Sequence, residues 1–444
     1  MRRVVVLIAV SVLGLALVVA AGALFAPWDR APESQASTSW ETGPIAAAER
    51  RVERAPDDWK TWAELGTAYV ERARTTGEAA DYVRARVALD RSQKIHPRDN
   101  AIALTGHGAL AAALHDFPAA LRHGRAALAA DPYRAAALGV VADALIELGR
   151  YDEAFPTIQR MVDLRPDASS YARASYAWEL RGDIGRATDA MRRALDAAPN
   201  AADGAFARLH LGQLAADNGD LDTAATEFTE GLRLLPGHPP LRLGLARVRA
   251  ARGDTAGAIT EFRAVLAVAP RPVYAAELGD LLTASGRPDE AAKEYAAARQ
   301  AWADEAVSGA PPEPDTVLFA VDQGKAGRGE GGRGEADPGE AGQREPVALD
   351  AARRLYARQP GIAAADALGW ALRAAGRPAE ALRYADQALK LGTRSALSHY
   401  HRGLILADLG RRDAARADLT TALRLNPHFS FRHAPEARAA LARL

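Results

Sequence analysis

Apolar residues recur at helical spacing along most of the chain, and short polar turns interrupt them at regular intervals. The clearest marker of a turn is a glycine followed five residues later by an alanine. These pairs are Gly149/Ala154, Gly182/Ala187, Gly219/Ala224, Gly253/Ala258, Gly286/Ala291, Gly376/Ala381 and Gly410/Ala415. Proline follows the glycine after seventeen residues at Pro166, Pro199, Pro236, Pro270 and Pro427. A fixed period of this kind predicts one helical repeat array rather than a series of separate domains.

Each residue type of the repeat has a physical role in a pair of adjacent helices. The glycine takes the left-handed conformation that ends the first helix, and the alanine lets the two helices approach closely. The proline then stops the second helix. His115 stands where a glycine is expected, with Ala120 and Pro132 at the usual distances. Because histidine is enriched at positive φ, we expect a turn at His115 as well.

One first helix carries a longer signature. Trp62, Leu65, Gly66 and Tyr69 match the pattern W-x2-L-G-x2-Y, and the central Leu-Gly pair returns at 211–212, 278–279 and 368–369. The chain therefore resembles the tetratricopeptide repeat, a helix-turn-helix unit of about 34 residues. The resemblance implies an all-α, right-handed α-solenoid whose concave face is lined by first helices and binds a protein or peptide.

The period also divides the chain. We expect a repeat array over 44–307 that starts with a lone helix at 44–55, an interrupted pair over 308–361, further pairs over 362–429 and a capping helix in 430–444. The full pairs run over about 59–97, 101–134, 135–167, 168–201, 205–238, 239–271, 272–305, 362–395 and 396–429. The turn of the interrupted pair holds a Gly-rich insert, about 325–346, which we expect to be disordered.

The N-terminus carries an uncharged apolar run, residues 4–26, after Arg2 and Arg3. A helix of this length spans about 35 Å, which exceeds the roughly 30 Å of a bilayer's hydrocarbon core. Arginines at this end stay on the cytoplasmic side. We therefore predict a single-pass anchor in the cell membrane over 1–28, a flexible stalk over 29–43 and an extracytoplasmic remainder. Alternatively, the run is a signal peptide, and cleavage near Ala23 or Ala36 gives a secreted protein.

Composition and charge narrow the chemistry. The 444 residues include no cysteine, which excludes disulfides, thiol nucleophiles and Cys-based zinc sites. Lys+Arg and Asp+Glu are both 56, so no net charge attracts nucleic acid, and we expect no nucleic-acid partner. Aromatic residues make up only 6%, which indicates a core of alanine, leucine and valine.

The motifs that suggest a ligand site are weak. Residues 327–332 spell G-x-G-x-x-G, but they lie inside the insert without the strand and helix that a dinucleotide site requires. His399 and His401 are two positions apart, which places them on different sides of a helix, so they do not share a metal. We therefore predict no catalytic residue, cofactor or metal, and a protein that is not an enzyme.

The remaining candidate site is the concave face. Helical projection of the first helices predicts the following groove residues: Asp143, Glu147, Tyr176, Glu179, Phe206, Gln213, Arg247, Asp280, Asp366, Trp370, Arg373 and Tyr400. We interpret the chain as a non-catalytic scaffold or adaptor for another protein at the extracytoplasmic face of the membrane. Two alternatives stay open: an extracytoplasmic enzyme or small-ligand receptor that uses the concave face, and a structural spacer whose groove is unused.

Overall fold

The computed structural model describes residues 43–76, 78–307, 311–326 and 338–444. All regular secondary structure within these ranges is α-helical, as the repeat pattern predicts. Its helices are α1 (Pro44–Arg54), α2 (Trp59–Thr76), α3 (Ala79–Ile95), α4 (Ala101–Ala113), α5 (Phe117–Ala130), α6 (Ala135–Glu147), α7 (Tyr151–Leu164), α8 (Ala168–Leu180), α9 (Ile184–Asp196), α10 (Ala201–Asp217), α11 (Leu221–Leu234), α12 (Pro239–Ala251), α13 (Thr255–Val268), α14 (Pro272–Ala284), α15 (Pro288–Val307), α16 (Pro314–Ala326), α17 (Pro338–Arg358), α18 (Ile362–Ala374), α19 (Pro378–Ala388), α20 (Ala396–Asp408), α21 (Arg412–Leu425) and α22 (His433–Arg443).

The turns between paired helices are made by residues in the left-handed conformation. The predicted turn glycines all have positive φ: Gly149, Gly182, Gly219, Gly253, Gly286, Gly376 and Gly410. His115 has a φ of 57° and makes the same turn without being a glycine. The predicted turn positions are therefore confirmed.

An aspartate directly after the turn residue often starts the second helix. Asp116 accepts a hydrogen bond from the amide of Ala119 at 3.0 Å, and Asp220 accepts one from the amide of Thr223 at 3.0 Å. Each bond satisfies an amide that has no partner within the helix. The turn residue and the capping aspartate together fix where one helix ends and the next begins.

The alanine of the repeat lies at the closest contact between paired helices. Every alanine of the pattern is at most 1% exposed: Ala120, Ala154, Ala187, Ala224, Ala258, Ala291, Ala381 and Ala415. A larger side chain at these positions would push the helices apart. This explains why a chain with few aromatic residues still has a continuous core.

Two helices begin earlier than the sequence predicts. α10 begins at Ala201 rather than at 205, because Asn200 accepts a hydrogen bond from the amide of Asp203 at 3.0 Å and caps the helix. α17 begins at Pro338, inside the range that we expected to be disordered. Proline is tolerated in the first turn of a helix, and the alanine, glutamate, glutamine and arginine that follow favour helix.

Several predictions fall outside the described residues. These are the anchor at 4–26, both cleavage positions, the stalk up to residue 42 and the Gly-rich motif at 327–332. Among the helices that the structure describes, none combines the length and the apolar character that crossing a bilayer requires.

The described residues form two compact units. Unit 1 consists of residues 43–76, 78–177 and 193–204. One of its cores joins α2, α3 and α4 through Leu65, Tyr69, Tyr82, Leu89 and Leu110, which are all at most 7% exposed.

Unit 2 consists of residues 178–192, 205–307, 311–326 and 338–444. It closes on itself, because its last helix pairs contact the turns of its first ones. The hydroxyl of Thr393 donates to the carbonyl of Leu180 at 2.5 Å, and the side-chain amide of Asn426 donates to the carbonyl of Ala216 at 3.0 Å. We call these two contacts the seam of unit 2.

The chain ends in α22, which packs on the core of unit 2. Ala437 and Ala440 are buried, and Leu441 and Leu444 pack against the same core. The C-terminal helix therefore has a buried apolar side.

Candidate functional site

Charged side chains from successive first helices of unit 2 form a continuous group. We call it the first-helix row, and its members are Glu179 on α8, Asp217 on α10, Arg247 on α12, Glu277 on α14 and Asp315 on α16. Arg247 holds Glu277 through two bonds of 2.7 Å, from Nε to Oε1 and from Nη2 to Oε2. Asp217 and Asp315 both interact with the charge of Arg247. The arginine therefore lies among the carboxylates of three other first helices.

The row is rich in carboxylates that lack a cation of their own. Glu277 is paired with Arg247, whereas Glu179, Asp217 and Asp315 have no ion-pair partner within the described part of the chain. Desolvation, followed by the charge of Asp217, raises the pKa of Glu179 to about 8. Desolvation and the charge of Glu277 also raise the pKa of Asp315 to about 6, against the effect of Arg247, while the exposed Asp217 interacts with the charge of Arg247. A cation brought to the row would relieve this cost.

A second group in unit 2 is buried. We call it the Asp322 cluster, and it comprises Asp322, Asp366, Trp370, His401 and His433, which are at most 8% exposed. The indole Nε1 of Trp370 donates to Oδ1 of Asp322 at 2.9 Å, and Nε2 of His433 lies 3.0 Å from Oδ2 of Asp322. The ring of His401 stacks on Trp370 with their centroids 4.1 Å apart.

The surroundings of His401 favour its neutral form. Burial lowers its pKa, against the charge of Asp366. The 2.8 Å contact between Nδ1 of His401 and Oδ2 of Asp366 then requires the proton on Nδ1. His399 bonds Asp418 instead, at 2.8 Å. In the described residues, no set of three or more histidines and carboxylates converges as a metal site requires.

The predicted groove residues separate into three environments. In unit 1, Asp143 is held by Arg173, Glu147 is buried and Tyr176 is half-buried. In unit 2, Glu179 and Arg247 belong to the first-helix row, and Phe206 and Gln213 lie half-buried on α10, which carries Asp217. The remaining predicted residues of unit 2 lie in or beside the Asp322 cluster: Asp280, Asp366, Trp370, Arg373 and Tyr400.

Helical projection missed several residues of these groups. Asp217, Glu277 and Asp315 complete the first-helix row, and Asp322 and His433 connect α16 with the C-terminal segment. Asp217 lies two residues before the turn glycine Gly219, as Glu147 does before Gly149, whereas Asp322 lies within α16. The repeated acid at this position is a signal that sequence reading can use.

The comparisons with known proteins agree with the repeat. One tetratricopeptide-repeat family model matches residues 111–178 and 215–278, and a second matches residues 171–239 and 367–428. Together the matches cover more than half of the chain, which therefore carries tetratricopeptide repeats. No match was found among curated proteins.

Solved structures also match this chain. A tetratricopeptide repeat protein from Parabacteroides merdae is 18% identical, with a TM-score of 0.43, over 57% of this chain and 98% of that one. Yeast Tom70 is 13% identical, with a TM-score of 0.41, over 90% of this chain and 92% of that one. A thermophilic TPR protein from Thermus thermophilus is 20% identical, with a TM-score of 0.38, over 43% of this chain and 98% of that one.

Proposed function

We propose that this tetratricopeptide-repeat protein is a non-catalytic scaffold or adaptor that binds another protein through the first-helix row of unit 2. Proteins built from this repeat generally mediate protein–protein interaction. The single observation that carries the proposal is the row itself, in which charged side chains of α8, α10, α12, α14 and α16 follow one another. A row of this kind suits an extended segment that contacts one helix pair after another.

The charge of the row indicates the chemistry of the partner. Glu179, Asp217 and Asp315 have no ion-pair partner in the described residues, and Arg247 is already held by Glu277. A segment that carries lysine or arginine would supply the missing cations, and complementary charge favours both specificity and fast association. Phe206 and Gln213, half-buried on α10, would add apolar and hydrogen-bonding contacts.

We further propose that residues 4–26 tether the protein to the cell membrane, with the repeats on the extracytoplasmic side. The support is the length of the apolar run and the position of Arg2 and Arg3 before it. Full-length protein should stay in the membrane fraction after a high-salt wash. Release into the soluble fraction would contradict the anchor and favour cleavage near Ala23 or Ala36.

Photo-crosslinking in cells tests the scaffold function. A photoreactive residue at Phe206 or Gln213 should trap one discrete partner, whereas the same residue at Tyr133, 77% exposed and remote in sequence from the row, should not. Discrete products from Phe206 and none from Tyr133 would support the proposal. No discrete product from Phe206 or Gln213 would overturn it and leave the spacer alternative.

Charge substitutions in the same experiment test the row. Glu179→Gln, Asp217→Asn and Asp315→Asn together should abolish the crosslink from Phe206. The matched control replaces three carboxylates on second helices, Asp222, Asp289 and Asp413, by asparagine. Asp222 and Asp413 have fully exposed side chains, so the control removes equal charge without touching the row. A crosslink that survives the row variant contradicts the proposed surface.

A further inference from the structure

The end of the segment that joins α21 to α22, together with the first turn of α22, contacts earlier helices of unit 2. We call residues 429–436 the C-terminal strap. Phe431 packs edge-on against Phe262 of α13, with ring centroids 6.2 Å apart. At the far end of the strap, the hydroxyl of Tyr400 donates to Oε2 of Glu436 at 2.5 Å. Contacts at both ends therefore hold the strap against the rest of unit 2.

Arg432 of the strap occupies a site formed by α14 and α16. Its Nη2 donates to the carbonyl oxygen of Asp322 at 2.9 Å, and its Nη1 lies 4.0 Å from Oδ1 of Asp280. Tyr295 donates to the same Oδ1 of Asp280 at 2.7 Å. The next residue, His433, contacts the carboxylate of Asp322 at 3.0 Å. Arg432 thus donates to a carbonyl of α16, and its charge lies near the carboxylates of Asp280 and of Glu436, whose Oε1 is 3.5 Å from Nε of Arg432.

The surroundings of Asp280 disfavour an unpaired negative charge. Desolvation raises the pKa of Asp280 to about 6, and the charge of Asp322 adds to the effect while Arg432 opposes it. Two neighbouring carboxylates, a backbone carbonyl and a tyrosine hydroxyl are complementary to a planar group with several N–H donors. A guanidinium can donate to several of these groups from one plane, whereas a lysine ammonium presents a single nitrogen.

The site lies on the same helices as the first-helix row. Asp280 is three residues after Glu277 on α14, and Asp322 is seven residues after Asp315 on α16. Residues three or seven apart share one face of a helix. A segment bound along the row would therefore reach the place that Arg432 occupies.

We propose that Asp280 and Asp322 form a guanidinium-binding site, filled by Arg432 in the unbound chain and by an arginine of the partner in the complex, so that partner binding displaces the C-terminal strap. This proposal rests on the proposed function and adds to it the identity of one recognised side chain. Arg432 then competes with the partner for this site. Because the partner binds only when the strap is released, the released fraction of the protein sets the apparent affinity for the partner.

The test uses full-length protein in detergent and a fluorescein-labelled hexa-arginine peptide, with hexalysine for comparison. Arg432→Ala should bind hexa-arginine about fivefold more tightly than the unaltered protein, because the competitor is gone. Arg424→Ala removes the same charge from an exposed position on α21 and should bind like the unaltered protein. Asp280→Asn in the Arg432→Ala background should remove the gain, and hexalysine should show none.

Hydrogen exchange of the unaltered protein gives a second readout that does not depend on a variant. Hexa-arginine should increase the exchange of residues 429–436, and hexalysine should leave it unchanged. Equal affinity of the Arg432→Ala and Arg424→Ala variants, or unchanged exchange in the strap, would overturn the proposal.

Failure of this proposal is distinguishable from failure of the proposed function. If the row substitutions abolish peptide binding while Arg432→Ala has no effect, the row stands and the guanidinium site is wrong. If the Asp280-dependent gain remains in the row variant, the guanidinium site stands and the row is not the binding surface.

Discussion

Gly182 lies so close to Gly392 that no side chain fits between them. Gly182 has a φ of 71°, and an added Cβ would overlap the carbonyl oxygen of Gly392. The two residues belong to the first and last parts of unit 2, next to the hydrogen bond between Thr393 and Leu180. The seam thus depends on a glycine for two separate reasons, its backbone conformation and the space beside it.

Gly182→Ala should lower the stability of the protein more than Gly253→Ala. Both glycines have positive φ, where an alanine costs about 1–2 kcal/mol. Around Gly253 nothing lies within 4 Å of an added Cβ, so that variant measures the backbone cost alone. The additional loss of stability in Gly182→Ala, measured by thermal unfolding, gives the contribution of the seam to stability. Equal melting temperatures for the two variants would show that the seam does not contribute to stability.

Local features of this fold are predictable because each repeat carries its own signals. A left-handed turn needs a residue such as Gly253 or His115, and a close helix contact needs a small residue such as Ala258. These requirements lie within a few residues of each other in the sequence, so the period reveals them. The seam joins Thr393 to Leu180 across 213 positions, and no local pattern encodes such a contact.

The candidate site is predictable only in part, for the same reason. Projection identifies which side of a first helix faces inward, and Glu179 and Arg247 are found in this way. It does not show how closely the array closes on itself. Trp370 and Tyr400 project toward the same side, yet they are 1% and 0% exposed. The late helix pairs of unit 2 and the C-terminal strap cover them, and this depends on the curvature of the whole unit.

Arg173→Met should destabilise unit 1 strongly. Arg173 binds Asp143 through contacts of 3.0 and 2.9 Å, and its side chain is only 2% exposed. Removing the guanidinium leaves the carboxylate of Asp143 in a protein environment without its cation, which costs about 3–5 kcal/mol. Urea unfolding measures the loss.

The matched control for the buried pair is an exposed one in the same unit. Arg125 and Glu153 form an ion pair of 2.8 Å with side chains 50% and 48% exposed. Arg125→Met should change the free energy of unfolding by less than about 1 kcal/mol. Similar losses of unfolding free energy in Arg173→Met and Arg125→Met would show that burial does not determine how much an ion pair contributes to stability.

His115→Gly should be more stable than His115→Ala by about 1–2 kcal/mol, since a left-handed alanine carries a penalty that glycine does not. The φ of 57° at His115 motivates this ordering. Both variants lose the edge contact with Phe117, whose ring centroid lies 5.7 Å away, so that loss cancels in the comparison. Thermal unfolding of the two variants measures this order of stability. A more stable alanine variant would rule out the left-handed turn.

Glu179→Gln should change how stability depends on pH. The pKa of Glu179 is raised from 4.5 to about 8 in the folded protein, so the folded state binds the extra proton between these values. Stability from this group is therefore present below about pH 4.5 and is lost as pH rises toward 8. The melting temperature of the variant minus that of the unaltered protein should therefore be more positive at pH 8 than at pH 5.

Only the difference between the two proteins is informative in this measurement. Carboxylates with lowered pKa, such as Asp418 and Glu261, make the stability of the whole protein fall at low pH. Asp222→Asn removes a carboxylate whose side chain is 95% exposed, and it controls for the loss of one negative charge. If Glu179→Gln follows this control at both pH values, Glu179 does not ionise with a raised pKa.

Trp370→Phe separates a role in the core from a role in the groove. Trp370 is 1% exposed and its indole donates to Asp322 at 2.9 Å, so phenylalanine leaves a buried carboxylate with one donor fewer. We expect a loss of about 1–3 kcal/mol in the free energy of unfolding, with crosslinking from Phe206 unchanged.

Trp178→Phe is the control, because the half-buried Trp178 ring packs against the guanidinium groups of Arg181 and Arg186 and its loss should cost less. Unchanged melting of Trp370→Phe with a lost crosslink would instead make Trp370 a partner contact, because only a groove residue affects binding without affecting the stability of the core.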